Sequence, residues 1–221
     1  LYYGAMATPG GGKNDMPNRL KRQFNSINMT LPAKASIDNI FGSILRGRFT
    51  PDKFDQGVVD LAGRLTELTI MLWDKIKAKM LPTPATFHYL FNMRDLSRTF
   101  QGVMLPPDEV ITDANVMMGL WKHECERVFM DKLVTNADKE WVSKTMTALV
   151  KDGWGDEYDD LLNEGLMFAN FQREAIYDDE GICIDENPKV YEPIPKIEKL
   201  IEKVYTKMGE FNETSKILKL D

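Results

Sequence analysis

A run of three glycines and a lysine, Gly10–Gly12 and Lys13, is the first part of this sequence that could do chemistry. Glycine-rich loops that end in lysine can wrap a phosphate, because their backbone N–H groups point at its oxygens. The Walker A loop also needs a serine or threonine after the lysine and another glycine upstream. Asn14 and Ala7 stand at those two positions, and no Walker B pattern is present. The sequence therefore does not predict a magnesium-nucleotide cradle, and a flexible turn is the alternative.

Two arginines follow this loop, and their spacing puts both on one face of a helical turn. They are Arg19 and Arg22, and Pro17 favours the turn because proline suits a first helical position. Such a pair can be a solvated surface. It can also be an arginine finger, whose guanidinium offsets charge on a phosphoryl group bound by a neighbouring subunit.

A second pair of arginines, Arg94 and Arg98, lies four residues apart at the start of a predicted helix. Asn92 is a suitable N-cap, and Asp95 completes a capping box in the role usually taken by glutamate. A positive charge near a helix N-terminus is unfavourable for the helix dipole, which suggests an anionic partner for Arg94. The alternative is a surface ion pair, which contributes about 0–1 kcal/mol.

The elements that must position these residues are mostly helices. Apolar runs predict a strand at Leu1–Met6 and a second one at Phe24–Leu31, and "GICI" in the acidic stretch 151–192 suggests a third. Helical spacing then predicts, in chain order, helices over Ile37–Arg46 (capped by Ser36), Val58–Met80, Asp95–Val103, Asp113–Leu133, Lys139–Lys151 and Ile194–Met208. The predicted apolar faces are Ile37, Ile40, Phe41 and Ile44 in the first of these helices and Val58, Leu61, Leu65, Leu68, Leu72 and Ile76 in the second. The predicted fold class is mainly α: the end of an α/β unit, an all-helical block and a linker helix.

Charge and composition exclude several functions. The net charge of −6 argues against nucleic-acid binding as the main role, although residues 1–50 carry seven Lys/Arg against two Asp/Glu. The two cysteines have no local motif and indicate reduced thiols, and the two histidines have no zinc-ligand spacing. We expect no metal site and no membrane partner. Because the chain opens inside an apolar strand pattern without a methionine, we interpret it as a piece of a longer protein.

Three segments resemble one family. "PGGGKNDMPNRLKRQFNSINMTLP", "KMLPTPATFHYLFNMRDLSRTFQG" and "LWKHECERVFMDKL" are similar, in order and spacing, to the third AAA+ module of an axonemal dynein heavy chain. "LNEGLMFANF" and "YEPIPKIEKLIEKVYTKMGEFNE" look like the stretch that leads toward the fourth module. The resemblance covers nearly the whole chain.

The resemblance implies roles for the arginines and for the glycine loop. Arg22 and Arg19 become arginine-finger candidates that face the nucleotide of the preceding module, and Arg94 becomes the sensor II arginine for this module's own ATP or ADP. The loop then belongs to sensor I, where Thr8 or Asn14 would supply the polar group that the family commonly takes from asparagine. Magnesium would be held only by residues upstream of this chain, and no catalytic residue is expected within it.

The implied organisation has four parts. Residues 1–34 would end the large α/β subdomain, 35–151 would form the helical lid, 152–192 an acidic loop and hairpin, and 193–221 a linker helix. The implied partners are neighbouring AAA+ modules and, through the full motor, other dynein chains and microtubules in the cytoplasm, in the axoneme of a cilium or flagellum. The alternative function is a helical protein–protein interaction module without a nucleotide role.

The missing Walker patterns predict that this chain alone does not hydrolyse ATP. Phosphate release by the purified chain should equal that of a buffer control, with or without a magnesium chelator. Magnesium-dependent turnover above the buffer control would contradict the prediction.

Overall fold

The computed structural model describes residues 1–6, 14–164, 166–177, 183–185, 188–194, 196–215 and 220. These residues are mainly helical with two small antiparallel sheets, which confirms the prediction of a mainly α fold. The α-helices are α1 (Asn18–Lys21), α2 (Lys34–Ile37), α3 (Ser43–Arg48), α4 (Gln56–Lys79), α5 (Met93–Val103), α6 (Ala114–Cys125), α7 (Asn136–Trp154), α8 (Asp159–Glu164) and α9 (Ile197–Thr214), and the π-helical turns Asp38–Gly42 and Glu126–Met130 follow α2 and α6. The strands are β1 (Met167–Ala169), β2 (Ile176–Tyr177), β3 (Cys183–Asp185) and β4 (Glu192–Ile194).

Helix α4 is the centre of the hydrophobic core and contacts α3, α5, α6 and α7. Asp55 caps it by accepting from the N–H of Gly57 at 3.0 Å. The apolar positions predicted at helical spacing are all buried: Val58, Leu61, Leu65, Leu68, Leu72 and Ile76. Trp121 of α6 is also fully buried, and its indole N–H donates to the Thr69 hydroxyl of α4 at 2.9 Å. Apolar burial and one buried hydrogen bond therefore fix α6 on α4.

The two strands predicted near the N-terminus are wrong. Leu1–Met6 and Phe24–Leu31 have no regular secondary structure, and large apolar side chains such as Tyr2, Ile27 and Met29 are exposed. A strand needs a neighbour for its backbone N–H and C=O groups. No such neighbour lies among the residues that the structure describes, so the apolar pattern alone does not produce a sheet.

The first core helix differs from its prediction because it contains a π-helical turn, Asp38–Gly42, between α2 and α3. The helix begins at Lys34, so Ser36 lies inside its first turn and is not its cap. A π turn takes an extra residue per turn and rotates the positions that follow it. Of the predicted face, Ile37 is buried, whereas Ile40 and Ile44 are about half exposed; Leu45 takes the core position.

Helix α7 runs further than predicted and ends at Trp154, and the Gly155 that follows has a φ of +65°, a backbone conformation that glycine adopts without strain. Arg64 of α4 holds this end. Its guanidinium lies 4.1 Å from the Trp154 ring centroid and donates to the Gly153 carbonyl at 3.1 Å. The helix end is therefore tied to the core by one arginine.

Two small sheets follow the helical block. β1 pairs antiparallel with β4, with Met167 opposite Ile194, and β2 pairs with β3. β3 confirms a strand at Cys183 in the predicted "GICI" segment, of which Gly181 and Ile182 lie outside the described residues. Ile194 is in β4 and not in the last helix, because a residue that precedes proline is biased away from helical conformation.

A buried carboxylate attaches the β1–β4 sheet to the helices. Glu124 of α6 is fully buried, and the Arg127 guanidinium donates to its Oε2 at 2.6 Å and 3.0 Å. The Tyr191 hydroxyl, beside β4, donates to its other oxygen. A Cβ on Gly102 of α5 would lie 1.9 Å from Glu124 Oε2, so glycine is what allows α5 and the carboxylate to share this space.

His123 lies next to this carboxylate and beside two aromatic rings that also contact each other. Its ring centroid is 5.8 Å from that of Phe168 and 6.4 Å from that of Tyr191. Burial lowers the pKa of His123, and this outweighs the Glu124 carboxylate, which raises it. The neutral imidazole is therefore the form that suits the folded state.

We predict that Thr69→Val destabilises the chain by about 1–3 kcal/mol, because it leaves a buried indole N–H of Trp121 without an acceptor. The matched control is Thr66→Val on the same helix, since the buried Thr66 hydroxyl has no partner among the described residues. Thr66→Val should be neutral within about 0.5 kcal/mol or stabilising. Denaturant unfolding followed by circular dichroism measures both, and equal losses would contradict the role of the hydrogen bond.

We predict that His123→Gln reduces the loss of stability on acidification. A histidine whose folded pKa is lowered takes up its proton first in the unfolded chain, so its contribution is complete above about pH 6.5 and is lost as the pH falls. The free energy of unfolding should fall less in the variant than in the wild type between about pH 7.5 and about pH 5.5. Lys144→Gln, at an exposed position, should follow the wild type.

Candidate functional site

The first arginine pair lies on α1, a single turn that buries no residue. Arg19 is within the turn and Arg22 is the residue that ends it, and both side chains are exposed. Neither makes an ion pair with another described residue. Lys21 does: its ammonium is 2.8 Å from the Asp15 carboxylate, and this hydrogen bond lowers the pKa of Asp15. The local carboxylate is thus occupied by the lysine, and both guanidinium groups are left facing outward.

The structure describes only one of the two sensor I candidates, Asn14. Thr8 and the glycine loop lie outside the described residues. Asn14 is exposed, and no hydrogen bond joins its side chain to the described part of the chain. The polar group predicted for sensor I therefore stays a prediction at both positions.

The second arginine pair is carried by α5, whose start is capped as predicted. Asn92 Oδ1 accepts from the N–H of Arg94 at 2.9 Å, and Asp95 Oδ2 accepts from the N–H of Asn92 at 2.8 Å. These two bonds satisfy backbone donors that a helix N-terminus otherwise leaves open. The backbone that carries Arg94 is consequently fixed by its immediate neighbours.

Asp95 is not available to pair with either arginine. It is buried, and its Oδ1 lies 3.0 Å from the ammonium of Lys132, which comes from the segment before α7. Arg94 and Arg98 are both exposed, and neither makes an ion pair within the described residues. The surface ion pair that was the alternative is therefore not formed with Asp95, the carboxylate nearest to both arginines in the sequence.

The segment that leads into α5 is held by a set of contacts that the sequence did not indicate. Tyr89 is buried, and its hydroxyl donates to Asp138 Oδ2 at 3.0 Å and accepts from the N–H of Val134 at 3.0 Å. His88 Nε2 lies 3.1 Å from the carbonyl oxygen of Lys132. These partners are more than forty residues apart in the sequence and follow no motif, so only the folded structure brings them together.

A groove of about 510 Å³ lies elsewhere, between the β1–β4 sheet and α9. None of the candidate arginines lines it, and the Lys203 ammonium and the Glu174 carboxylate pair at 3.3 Å beside it. In the described ranges no cluster of three or more His, Cys, Asp or Glu could hold a metal ion. No helix among those ranges is both long and apolar enough to cross a membrane.

Residues 65–164 match the AAA+ lid domain family. This range includes α5 with Arg94, the Lys132 contact and most of the core. Arg19 and Arg22 lie outside it, so the lid match bears on the second arginine pair only.

The whole chain is similar to dynein heavy chains. It is 44% identical to the dynein gamma chain of the flagellar outer arm of Chlamydomonas reinhardtii over 100% of its own length and 5% of that protein. It is 42% identical to dynein axonemal heavy chain 5 of Rattus norvegicus over 96% of its length and 6% of that protein. With dynein axonemal heavy chain 8 of Mus musculus, the identity is 40% over 98% of the chain and 5% of the relative.

The chain thus spans about one twentieth of the length of these relatives. These relatives are named as flagellar or axonemal dynein chains. The names confirm the predicted family and the predicted association with an axoneme or flagellum. The lid match over residues 65–164 and the similarity over the whole of this chain both indicate the same protein family. The chain belongs to the axonemal dynein heavy chains and contains an AAA+ lid domain.

Proposed function

We propose that this chain is the C-terminal part of the third AAA+ module of an axonemal dynein heavy chain. The order and spacing of the three quoted segments support this module. The proposed boundaries are the end of the large α/β subdomain at 1–34, the lid at 35–151, the acidic hairpin region at 152–192 and a linker helix at 193–221.

Arg94 is the sensor II residue of this proposal and contacts the module's own ATP or ADP. One observation carries this role: Arg94 is exposed without an ion pair among the described residues, on a helix start that is held rigidly by a capping box. The one carboxylate in its first turn, Asp95, is buried against Lys132.

The chemistry of this position favours a phosphate. Helix N-terminal dipoles attract anions and disfavour a cation such as Arg94. A phosphate placed there removes that conflict, because it interacts favourably with both the dipole and the guanidinium. A guanidinium also donates two parallel hydrogen bonds to phosphate oxygens, which a lysine cannot reproduce.

Arg22, with Arg19 beside it, is the proposed arginine finger toward the nucleotide of the preceding module. Their exposure and their lack of ion pairs within the described residues support a partner outside this chain. Thr8 or Asn14 is the proposed sensor I residue, and magnesium is held by residues that this chain does not supply.

In the whole motor these elements contribute to regulatory control of ATP-driven movement along microtubules. The direct partners are the neighbouring AAA+ modules of the same heavy chain. Other dynein chains and microtubules are partners of the full motor, in the axoneme of a cilium or flagellum.

A second candidate function is a helical interaction module without a nucleotide role. Helix α9 favours it, because α9 buries no residue and exposes Ile197, Ile201, Val204 and Tyr205 along its length. Under this alternative, replacing Arg94 or Arg22 would leave nucleotide binding unchanged in every module.

The test replaces one arginine at a time in the full heavy chain and reads nucleotide occupancy at each site from structures of the intact motor. Arg94→Ala should loosen this module's own nucleotide, and Arg22→Ala should change that of the preceding module. Arg98→Ala, one turn further along α5, is the matched control for Arg94 and should change neither. In a hydrolytic site a lost finger costs about 10³–10⁵ in rate, whereas in a regulatory site we expect a change in affinity only.

The opposite assignment, with Arg22→Ala affecting only this module's own nucleotide, would contradict the proposed geometry. Unchanged occupancy in both variants would support the interaction-module alternative.

A further inference from the structure

We propose that Lys132 is a positioning residue for Arg94: it holds the start of α5 in the orientation in which Arg94 meets the nucleotide. This inference rests on the proposed function of Arg94. It assigns a role to a side chain that lies thirty-eight positions further along the chain and that bonds to the segment around the start of α5.

The contacts of Lys132 lie on both sides of the capping residue. Its ammonium donates to the Leu90 carbonyl at 3.2 Å and to Asp95 Oδ1 at 3.0 Å, and it lies 4.7 Å from the Phe91 ring centroid. Arg94 therefore lies, in the sequence, between Leu90 and Asp95, the two residues that accept hydrogen bonds from Lys132. A movement of Lys132 relative to this segment must move the helix start or break these contacts.

Asp95 connects this clamp to the cap because its two oxygens have separate partners. Oδ1 accepts from Lys132, and Oδ2 accepts from the N–H of Asn92. Without the lysine, the buried Asp95 carboxylate would keep only one of these two donors, the N–H of Asn92. A buried charge without its partner is unfavourable, so Asp95 is expected to turn toward water and take the cap with it.

The charge of Lys132 is already paired inside the helical block, with the Asp95 carboxylate. Its side chain is about one-quarter exposed and faces a buried carboxylate, a carbonyl oxygen and an aromatic ring. The charge offered to a phosphate at this end of α5 is consequently that of Arg94. Lys132 acts through position, and its effect depends on the presence of Arg94.

Other contacts keep the segment in place when the lysine charge is lost. Tyr89 still bonds to Asp138 and to the N–H of Val134, and the carbonyl oxygen of Lys132 still meets His88. Lys132→Met keeps most of the aliphatic stem and removes only the charged group. We therefore expect a change in the start of α5 and not the loss of the lid.

The experiment measures site-resolved ADP occupancy in the full heavy chain over a range of ADP concentrations, for Lys132→Met, Arg94→Ala and both together. Arg94→Ala should weaken ADP at this module by about tenfold, as for a lost hydrogen bond between charged groups, and Lys132→Met should weaken it less. The double variant should bind like Arg94→Ala alone, because residues that act through one another are not additive. Lys144→Met, which removes an exposed ion pair with Glu140, is the matched control and should bind like the wild type.

Each other outcome overturns the inference. If the two losses multiply in the double variant, Lys132 acts independently of Arg94, by direct contact or by a general effect on the fold. If only Arg94→Ala weakens ADP, the proposed function stands and the positioning role is wrong. If Arg94→Ala has no effect, the proposed function and the inference both fail.

Should Lys132→Met not fold, a double variant with Lys132→Met and Asp95→Asn replaces it, because this variant leaves no unpaired buried charge. The double variant is expected to weaken ADP binding in the same way as Lys132→Met.

Discussion

Asp95 brings a negative charge into the interior of the helical block, where one oxygen accepts from Lys132 and the other from the backbone of Asn92. A charge in such a place must be paired, and both partners are parts of the chain whose position matters. The lysine belongs to the segment before α7, and the backbone N–H belongs to the start of α5. The requirement to pair one carboxylate therefore fixes the helix start that carries Arg94, and it also removes the carboxylate that would otherwise neutralise this arginine.

Regular spacing made a large part of this structure predictable. The buried face of α4 and the capping box at Asn92 follow from interactions between near neighbours in the sequence. The failures have equally physical causes. A strand pattern at Leu1–Met6 specifies a face but supplies no hydrogen-bonding neighbour, and the π turn Asp38–Gly42 changes the helical period on which the prediction of Ile40 and Ile44 relied.

The candidate site was predictable only in part. Exposed arginines at a helix start can be read from the sequence, and the resemblance suggested what they do. Lys132 and Tyr89 could not be found in this way, because their partners are distant in the sequence and their residue types are common. Similarity to dynein heavy chains covers the whole chain, yet it identifies a protein family and not the role of one side chain. Contacts between distant segments supply that missing detail.

The close approach of Gly102 to Glu124 has a consequence for how this sequence can vary. A side chain at position 102 would need the space of a carboxylate that Arg127 and Tyr191 hold from two sides, so the carboxylate has no easy way to move. Position 102 can gain a side chain only when position 124 loses its own. Among related lids, glycine at the first position should therefore accompany glutamate at the second, and the two should be replaced together over evolutionary time.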